Sequence, residues 1–492
     1  MSESRPDILL YFSDQHHGLC AGYAGHPVVQ TPNLDRLAGE GVACETAYTS
    51  CPLCVPARAG LLTGQLPSHN NVYDNHHIIP SDQATFLHAL AAEGYQTVLC
   101  GRMHFKGADQ RHGFTRRVFG DITSMYTGGI ADGGVFGRTF GMGGCADLVG
   151  AGTSPVLEYD RAVIRAATDY LRRRHDKPQC IVVGTYGPHF SYVAPPELFE
   201  MYRDGVAAPP SWDPEGRDPN PMLDAKRQRT RRCCWDGQEE PVSTEIMLAA
   251  RAAYFGMITE QDRHVGTIRQ LWQEHLDRSG RQGVFVYGSD HGDTCGEHGI
   301  FGKQTFYEGS ARIPLVFAGA GIPAGARVRE PTSILDIAPT LCELGGAQAP
   351  PAQDGVSLLG ALRGRTRLDD RCVLCEWVQY FRRQAVAARM VRAGRWKLTR
   401  YDHDEMPDQL FDLDADPDEL TDRAGDRPDQ VRRLGELLER GWEPDRVAAR
   451  YAEKSAHVSM LHRCYRADPP DEPTTEKWRI PDTALARPEV VI

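Results

Sequence analysis

Residues 284–291, VFVYGSDH, place a short apolar run directly ahead of a carboxylate and an imidazole. A run of this length is too short for a buried helix and suits a strand covered on both faces. Four more runs have the same texture: Ile8–Phe12, Thr97–Cys100, Cys180–Gly184 and Pro314–Ala318. Two of them also end like the first. Ile8–Ser13 leads into Asp14-Gln15, and Ile181–Tyr186 leads into Pro188-His189. Helical patterns lie between the runs. TPNLDRLAGEG (31–41) offers Thr31 as cap and Pro32 at the first helical position, and it stops at a glycine. TFLHALAAEGY (85–95) ends on Gly94 just before a run. LEYDRAVIRAATDYLRRR and the longer STEIMLAARAAYFGMITEQDRHVGTIRQLWQEHL are amphipathic. Strands alternating with helices predict an α/β fold with helices on both faces of a central sheet.

In open parallel sheets, sites form outside the carboxyl ends of the strands. The predicted sheet therefore brings Asp14, Gln15, His189, Asp290 and His291 to one edge. An Asp after a strand is most often a cap or turn residue. The joint pattern of two carboxylates, an imidazole and an amide oxygen suits a divalent cation, Ca²⁺ or Mg²⁺, with the imidazole also admitting Mn²⁺.

The chain has 492 residues, of which 41% are hydrophobic, enough for one large core and a smaller domain. We place a catalytic domain at 1–365, a C-terminal α+β domain at 366–460 and an arm at 461–492. The second domain rests on AVAARMVRAGRWKLTRY and DQLFDL as a strand meander, followed by DRPDQVRRLGELLERGW as a helix. A net charge of −11 argues against a nucleic-acid partner. The basic run Lys226–Arg232 is read as a solvated loop or subunit contact. No stretch approaches the roughly 20 apolar residues of a membrane span, and the N-terminus lacks a signal-peptide pattern. We expect a cytoplasmic protein whose 14 cysteines are mostly reduced and buried. Two CxxC pairs, Cys51/Cys54 and Cys372/Cys375, lack the flanking spacing of a zinc ribbon. Residues 120–153, Gly-rich, and 205–241, Pro-rich and polar, read as irregular cover over the body.

SCPLCVPARAGLLTG (50–64) poses a separate problem. A thiolate at Cys54 is a soft ligand, poorly matched to an oxygen-ligated hard cation. An oxygen-bearing group at that position fits better.

The chain resembles the formylglycine-dependent sulfatases of the alkaline phosphatase superfamily. Cys54-x-Pro-x-Arg58 is similar to the signature in which the cysteine is oxidised to formylglycine, whose hydrate supplies two hydroxyls, one of them metal ligand and nucleophile. DILLYFSDQ resembles the first metal-ligand strand, VYDN the segment that brings Asn75 to the substrate, and GRMHF the Gly-Lys-x-His pattern that places His104 beside the nucleophile. GPHFSYVAPP carries His189. GSDHGDTCGEHGIFGKQTFYEGSARIPLVFAG resembles the second metal motif with Asp290, His291 and Lys303. The Asp-Gln and Asp-His motifs lean toward cytoplasmic choline sulfatases and phosphonate monoester hydrolases.

The resemblance implies an alkaline-phosphatase-like fold, a large mixed but mostly parallel sheet flanked by helices, with a smaller C-terminal α+β domain. It implies hydrolysis of a sulfate monoester, choline-O-sulfate or another small ester, with phosphonate monoester or phosphodiester hydrolysis by the same formylglycine site as the alternative. The metal ligands would be Asp14, Asp290, His291 and the modified Cys54. Gln15 would be a fifth ligand or a substrate contact. Arg58 would hold the nucleophile's alkoxide, His104 would act as base, and His189 or Lys303 would serve the leaving oxygen. Arg102 stands where the family has lysine and would grip a sulfate oxygen through its planar fork. The implied partners are a small sulfate ester, a formylglycine-generating enzyme and further copies of the chain, as a dimer or tetramer.

Overall fold

A computed structural model describes residues 5–123, 125, 146, 148–235 and 238–468. The strands of its main sheet are β1 (Asp7–Asp14), β2 (Gly41–Cys44), β3 (Gln96–Gly101), β4 (Arg116–Phe119), β5 (Gln179–Pro188), β6 (Gly283–Ser289), β7 (Leu315–Gly319) and β8 (Ala326–Val328). Their order is β8-β2-β7-β6-β1-β5-β3-β4. Only β7 among them runs against its neighbours, so the sheet is mixed but mostly parallel.

Alternation along β1 shows why these runs are apolar throughout. Leu9 and Tyr11 point into one core, while Ile8, Leu10 and Phe12 point into another. Side chains alternate sides along a strand, and here helices cover both sides. The first face carries α1 (Pro32–Glu40), α3 (Pro155–Leu171) and the 36-residue α4 (Thr244–Ser279), whose N-cap is Ser243. The second carries α2 (Cys54–Thr63), all ten residues of which are buried.

The C-terminal part is an antiparallel meander of β9 (Cys372–Phe381), β10 (Gln384–Ala393), β11 (Trp396–Tyr401) and β12 (Gln409–Asp412). One face packs Trp377, Tyr401 and Phe411 against Tyr48, Phe306 and Tyr307 of the larger body. The other packs Val391, Leu398 and Leu410 against α5 (Pro428–Leu438). A last helix, α6, spans Pro444–Ala467 and so runs across position 460.

Two sequence expectations change. Within 205–241, Asn220 caps a helix over Pro221–Thr230, and a hairpin pairs Arg232–Trp235 with Gln238–Pro241. The basic run is therefore partly helical, and Lys226 and Arg227 are buried rather than solvated. Lys226 donates to Gln304 Oε1 and Arg227 to the carbonyl of Asp213, so each buried cation has a hydrogen-bond acceptor. Most of the Gly-rich 120–153 segment, and the arm beyond residue 468, lie outside the described residues. Every cysteine whose side chain is described is free. No described helix is long and apolar enough to cross a membrane.

Candidate active site

Parallel strands β1, β3, β5 and β6 end at one edge, and their last residues meet there. The donor atoms of Asp14, Cys54, Asp290 and His291 all lie within 4.8 Å of one another, and all four residues are buried. Asp14 closes β1, Asp290 and His291 follow β6, and Cys54 opens α2. Cys54 thus sits at a helix N-terminus, where partial positive charge favours an anionic group. Asn75 Oδ1 accepts from the backbone N–H of Val55 at 2.9 Å, and its Nδ2 lies 3.9 Å from Cys54 Sγ. Asn75 therefore both supports the first turn and faces position 54.

Lys303 Nζ lies 3.0 Å from Cys54 Sγ, and His291 Nε2 lies 3.2 Å from it. Burial and Asp14 push the thiol pKa up, but Lys303 and His291 outweigh them and hold it below its usual value. The Lys303 ammonium also donates to Gln15 Oε1 and meets His189 Nε2, both at 2.7 Å. Burial alone would lower its pKa. Cys54, Asp14 and Asp290 reverse that and raise it, so the side chain is an ammonium. Burial, then Lys303, holds the His189 imidazole well below its ordinary value.

The charges around the carboxylates are ordered. Arg58 donates Nε to Asp290 Oδ2 at 2.9 Å and Nη2 to Asp14 Oδ2 at 3.0 Å. It bridges the two aspartates rather than meeting Cys54. Arg102 donates to Asp14 Oδ2 at 2.7 Å, to Asp121 Oδ1 at 3.2 Å and to Thr123 Oγ1 at 3.0 Å, and lies over the Tyr186 ring. Its remaining nitrogen sits 2.7 Å from His104 Nδ1. The sequence reading aimed Arg102 at a sulfate oxygen, yet its fork is committed to these protein partners. Both arginines engage Oδ2 of Asp14, leaving Oδ1 turned toward Cys54.

A guanidinium has donors and no acceptor. His104 Nδ1 must therefore accept from Arg102, and the neutral ring carries its proton on Nε2. Burial, then Arg102, drives the His104 pKa well below its ordinary value. His291 has the opposite arrangement. Its Nδ1 donates to Gly292 O at 3.0 Å, which turns the Nε2 lone pair toward Asp14, Asp290 and Cys54. A metal-binding histidine is oriented this way by its second nitrogen. Two carboxylates and an oriented imidazole within one buried cluster fit a divalent cation.

Two supporting residues escaped the sequence reading. Asp293 accepts from Gln15 Nε2 and from Tyr192, and it takes the backbone N–H of Gly302 beside Lys303. Asp121 accepts from the backbone of Met103 and His104 as well as from Arg102. Asp293 stands three residues after Asp290, a proximity that could have flagged it. Asp121 lies in a Gly-rich stretch with no such signal. Gln15 and His104 both have positive φ, 71° and 58°, a region costly for residues with side chains and found where function fixes the backbone.

The sulfatase family model matches residues 6–347, well over half of the chain. The chain belongs to the sulfatase family. A model of the N-sulphoglucosamine sulphohydrolase C-terminal region matches residues 296–440 of this sulfatase. It is 36% identical over 433 residues to a choline-sulfatase of Rhizobium meliloti (strain 1021), covering 85% of this chain and 82% of the relative. It is 27% identical to arylsulfatase K of Danio rerio, over 89% of this chain and 84% of that one. Among solved structures, the phosphonate monoester hydrolase of Agrobacterium radiobacter superposes with a TM-score of 0.71 at 24% identity, over 93% of this sulfatase and 96% of that chain. At that identity the likeness shows the alkaline-phosphatase-like fold alone. The family makes this chain a sulfuric ester hydrolase.

Proposed function

We propose that this sulfatase hydrolyses a small sulfate monoester, choline-O-sulfate being the first ester to test, through a formylglycine made from Cys54. The observation that carries the reading is the convergence on Cys54 Sγ of Lys303 Nζ at 3.0 Å and His291 Nε2 at 3.2 Å, beside Asp14. Hydrated formylglycine would place hydroxyls where the sulfur now stands, which suits the oxygen-rich surroundings. Asp14, Asp290, His291 and position 54 would hold Ca²⁺, Mg²⁺ or Mn²⁺, which would acidify a hydroxyl and offset sulfate charge.

The protein's own groups do the rest. The Lys303 ammonium points at position 54 and delivers its proton to the departing alcohol oxygen, general-acid help of roughly 10²–10⁴-fold. His189 donates Nδ1 to Phe190 O at 2.6 Å, so Nε2 is an acceptor that steadies Lys303 rather than the resting acid. His104, with Nδ1 occupied, offers an Nε2–H donor, a role different from the base that the family resemblance implied. Arg58 keeps the two aspartates apart and oriented. Asn75 Nδ2 lies within reach of a group bonded at position 54. Gln15 acts as a strut between Asp293 and Lys303.

The free cysteines among the described side chains support a reducing, cytoplasmic setting. A formylglycine-generating enzyme is the required partner.

The test is fragmentation of the Cys54 tryptic peptide from protein made beside a modifying enzyme, paired with sulfate release from choline-O-sulfate. A converted residue and metal-dependent release support the proposal. An intact thiol on an active enzyme overturns it. Phosphonate monoesters assayed in parallel address the alternative, which the fold likeness favours less than the 36% identity favours a sulfate ester.

A further inference from the structure

Lys397 on β11 is 1% exposed at its side chain, in a domain that carries none of the groups around Cys54. An ammonium has three donors and no acceptor, and burying it is costly unless each is met. Here each is met. Lys397 Nζ donates to Phe306 O at 2.8 Å and to Glu308 Oε1 at 2.9 Å, and it forms an ion pair with Glu419. Glu419 also takes the backbone N–H of Glu308 at 2.6 Å, and Glu308 accepts from Tyr48 and Arg312. Two of the three Lys397 contacts therefore fall on residues 306 and 308, a few positions beyond Lys303.

The same segment is gripped by packing. Phe306 sits edge-on to Trp377 and against Tyr401, and Tyr307 lies against Phe411, all from the C-terminal meander. Between these anchors and Lys303 stands Gln304, at a left-handed φ of 71°, whose N–H donates to Pro52 O at 3.0 Å. Pro52 lies two residues before Cys54. The segment thus spans from the start of the Cys54 turn to the C-terminal sheet, and Lys303 projects from it.

We propose that Lys397 is a positioning residue: through Phe306 and Glu308, the C-terminal sheet sets where the Lys303 ammonium stands. This rests on the sulfatase reading of the site. It gives the buried Lys397 ammonium a task, in a face that also carries Arg392, Thr399 and Gln409 beside Trp377, Tyr401 and Phe411.

A double-mutant cycle with the converted, metal-loaded full-length enzyme tests it. K397M is made in the wild-type and in the K303M background, with kcat and KM on one sulfate ester and the thermal midpoint of each protein. Misplacement at a reacting centre costs up to about 100-fold. We expect K397M to lower kcat by about tenfold or more with KM nearly unchanged, and to cost under about twofold once Lys303 is gone. K397R, which keeps the charge but not three single-point donors, should recover part of the loss. Glu308→Gln runs the same cycle if K397M does not fold, because it leaves Lys397 paired with Glu419. Equal losses in both backgrounds, or no loss in the wild-type background, overturn the proposal. An inactive wild-type enzyme would instead overturn the sulfatase reading of the site.

Discussion

Replacing Lys303 by methionine removes the ammonium while keeping most of the side-chain volume. Its Nζ stands 3.0 Å from the atom at which the nucleophile is placed. At that separation and an effective dielectric near 20, a unit charge pair is worth about 5.5 kcal/mol. Loss of a general acid costs roughly 10²–10⁴-fold, which is about 2.7–5.4 kcal/mol. The gross Coulomb figure, from which desolvation still has to be subtracted, lies just above this range, so K303M should lower kcat/KM by about 10³-fold on an alkyl sulfate, the middle of the general-acid range. The assay is a series of sulfate esters with progressively more acidic leaving alcohols. A leaving group that departs easily needs no proton, so the deficit should shrink along the series. A deficit of constant size would show that Lys303 acts only as fixed charge, and would refute the proton-transfer role. Unchanged activity on the alkyl ester would refute the placement altogether.

Other outcomes follow from the same geometry. Glutamine in place of His104 puts an N–H donor near the position of Nε2, so H104Q should stay within about tenfold of wild type while H104A loses about 10–100-fold; equal loss in both would restore a base role. Ca²⁺ at a hundred times its Kd should stabilise the wild-type protein by about 2.7 kcal/mol, seen as a rise in thermal midpoint, and Asp290→Asn should abolish that rise; an undiminished rise would move the cation elsewhere. Glu419, buried and close to Glu308, has its carboxyl pKa raised to about 7 from a usual 4.5. Burial leads that shift, and the folded state then holds a proton the unfolded chain releases, so this stabilisation is complete below about 4.5 and is lost as pH rises toward 7. Glu419→Gln should therefore lose less stability than wild type between pH 5 and pH 8, measured by urea unfolding; parallel pH curves would contradict it.

The sheet was legible because five apolar runs reported strands buried on both faces, and three of them ended in the residues that now form the site edge. Helix α2 was legible as an apolar run behind Cys54. Strand β9 was not, because CVLCEWVQYF mixes buried and open positions and hides Glu376. That glutamate pairs with Arg389 on the neighbouring strand and accepts from Ser68, contacts that no local pattern encodes. The 221–230 helix was missed although Asn220-Pro221 is a cap-and-start pair; the charged run behind it resembled a solvated segment. The roles of Arg102 and His104 turned on a single nitrogen-to-nitrogen contact, which depends on Asp121 arriving from a different loop. Motif spacing names such residues but does not say which nitrogen meets which partner.

The pairing of Arg58 and Arg102 with Asp14, Asp121 and Asp290 has a thermodynamic consequence. With Lys303 counted, three formal positive charges face these three negative ones, and buried Asp293, behind Gln15 and Lys303, adds a fourth, so the protein alone carries one surplus negative charge. A divalent cation added to that set would turn the surplus into one positive charge in a buried setting, and an anion would then enter a space short of negative charge. Cation and anion affinities become linked, and linkage is reciprocal. Inorganic sulfate should tighten retention of the cation by the same factor by which the cation tightens sulfate, making the product a keeper of the metal.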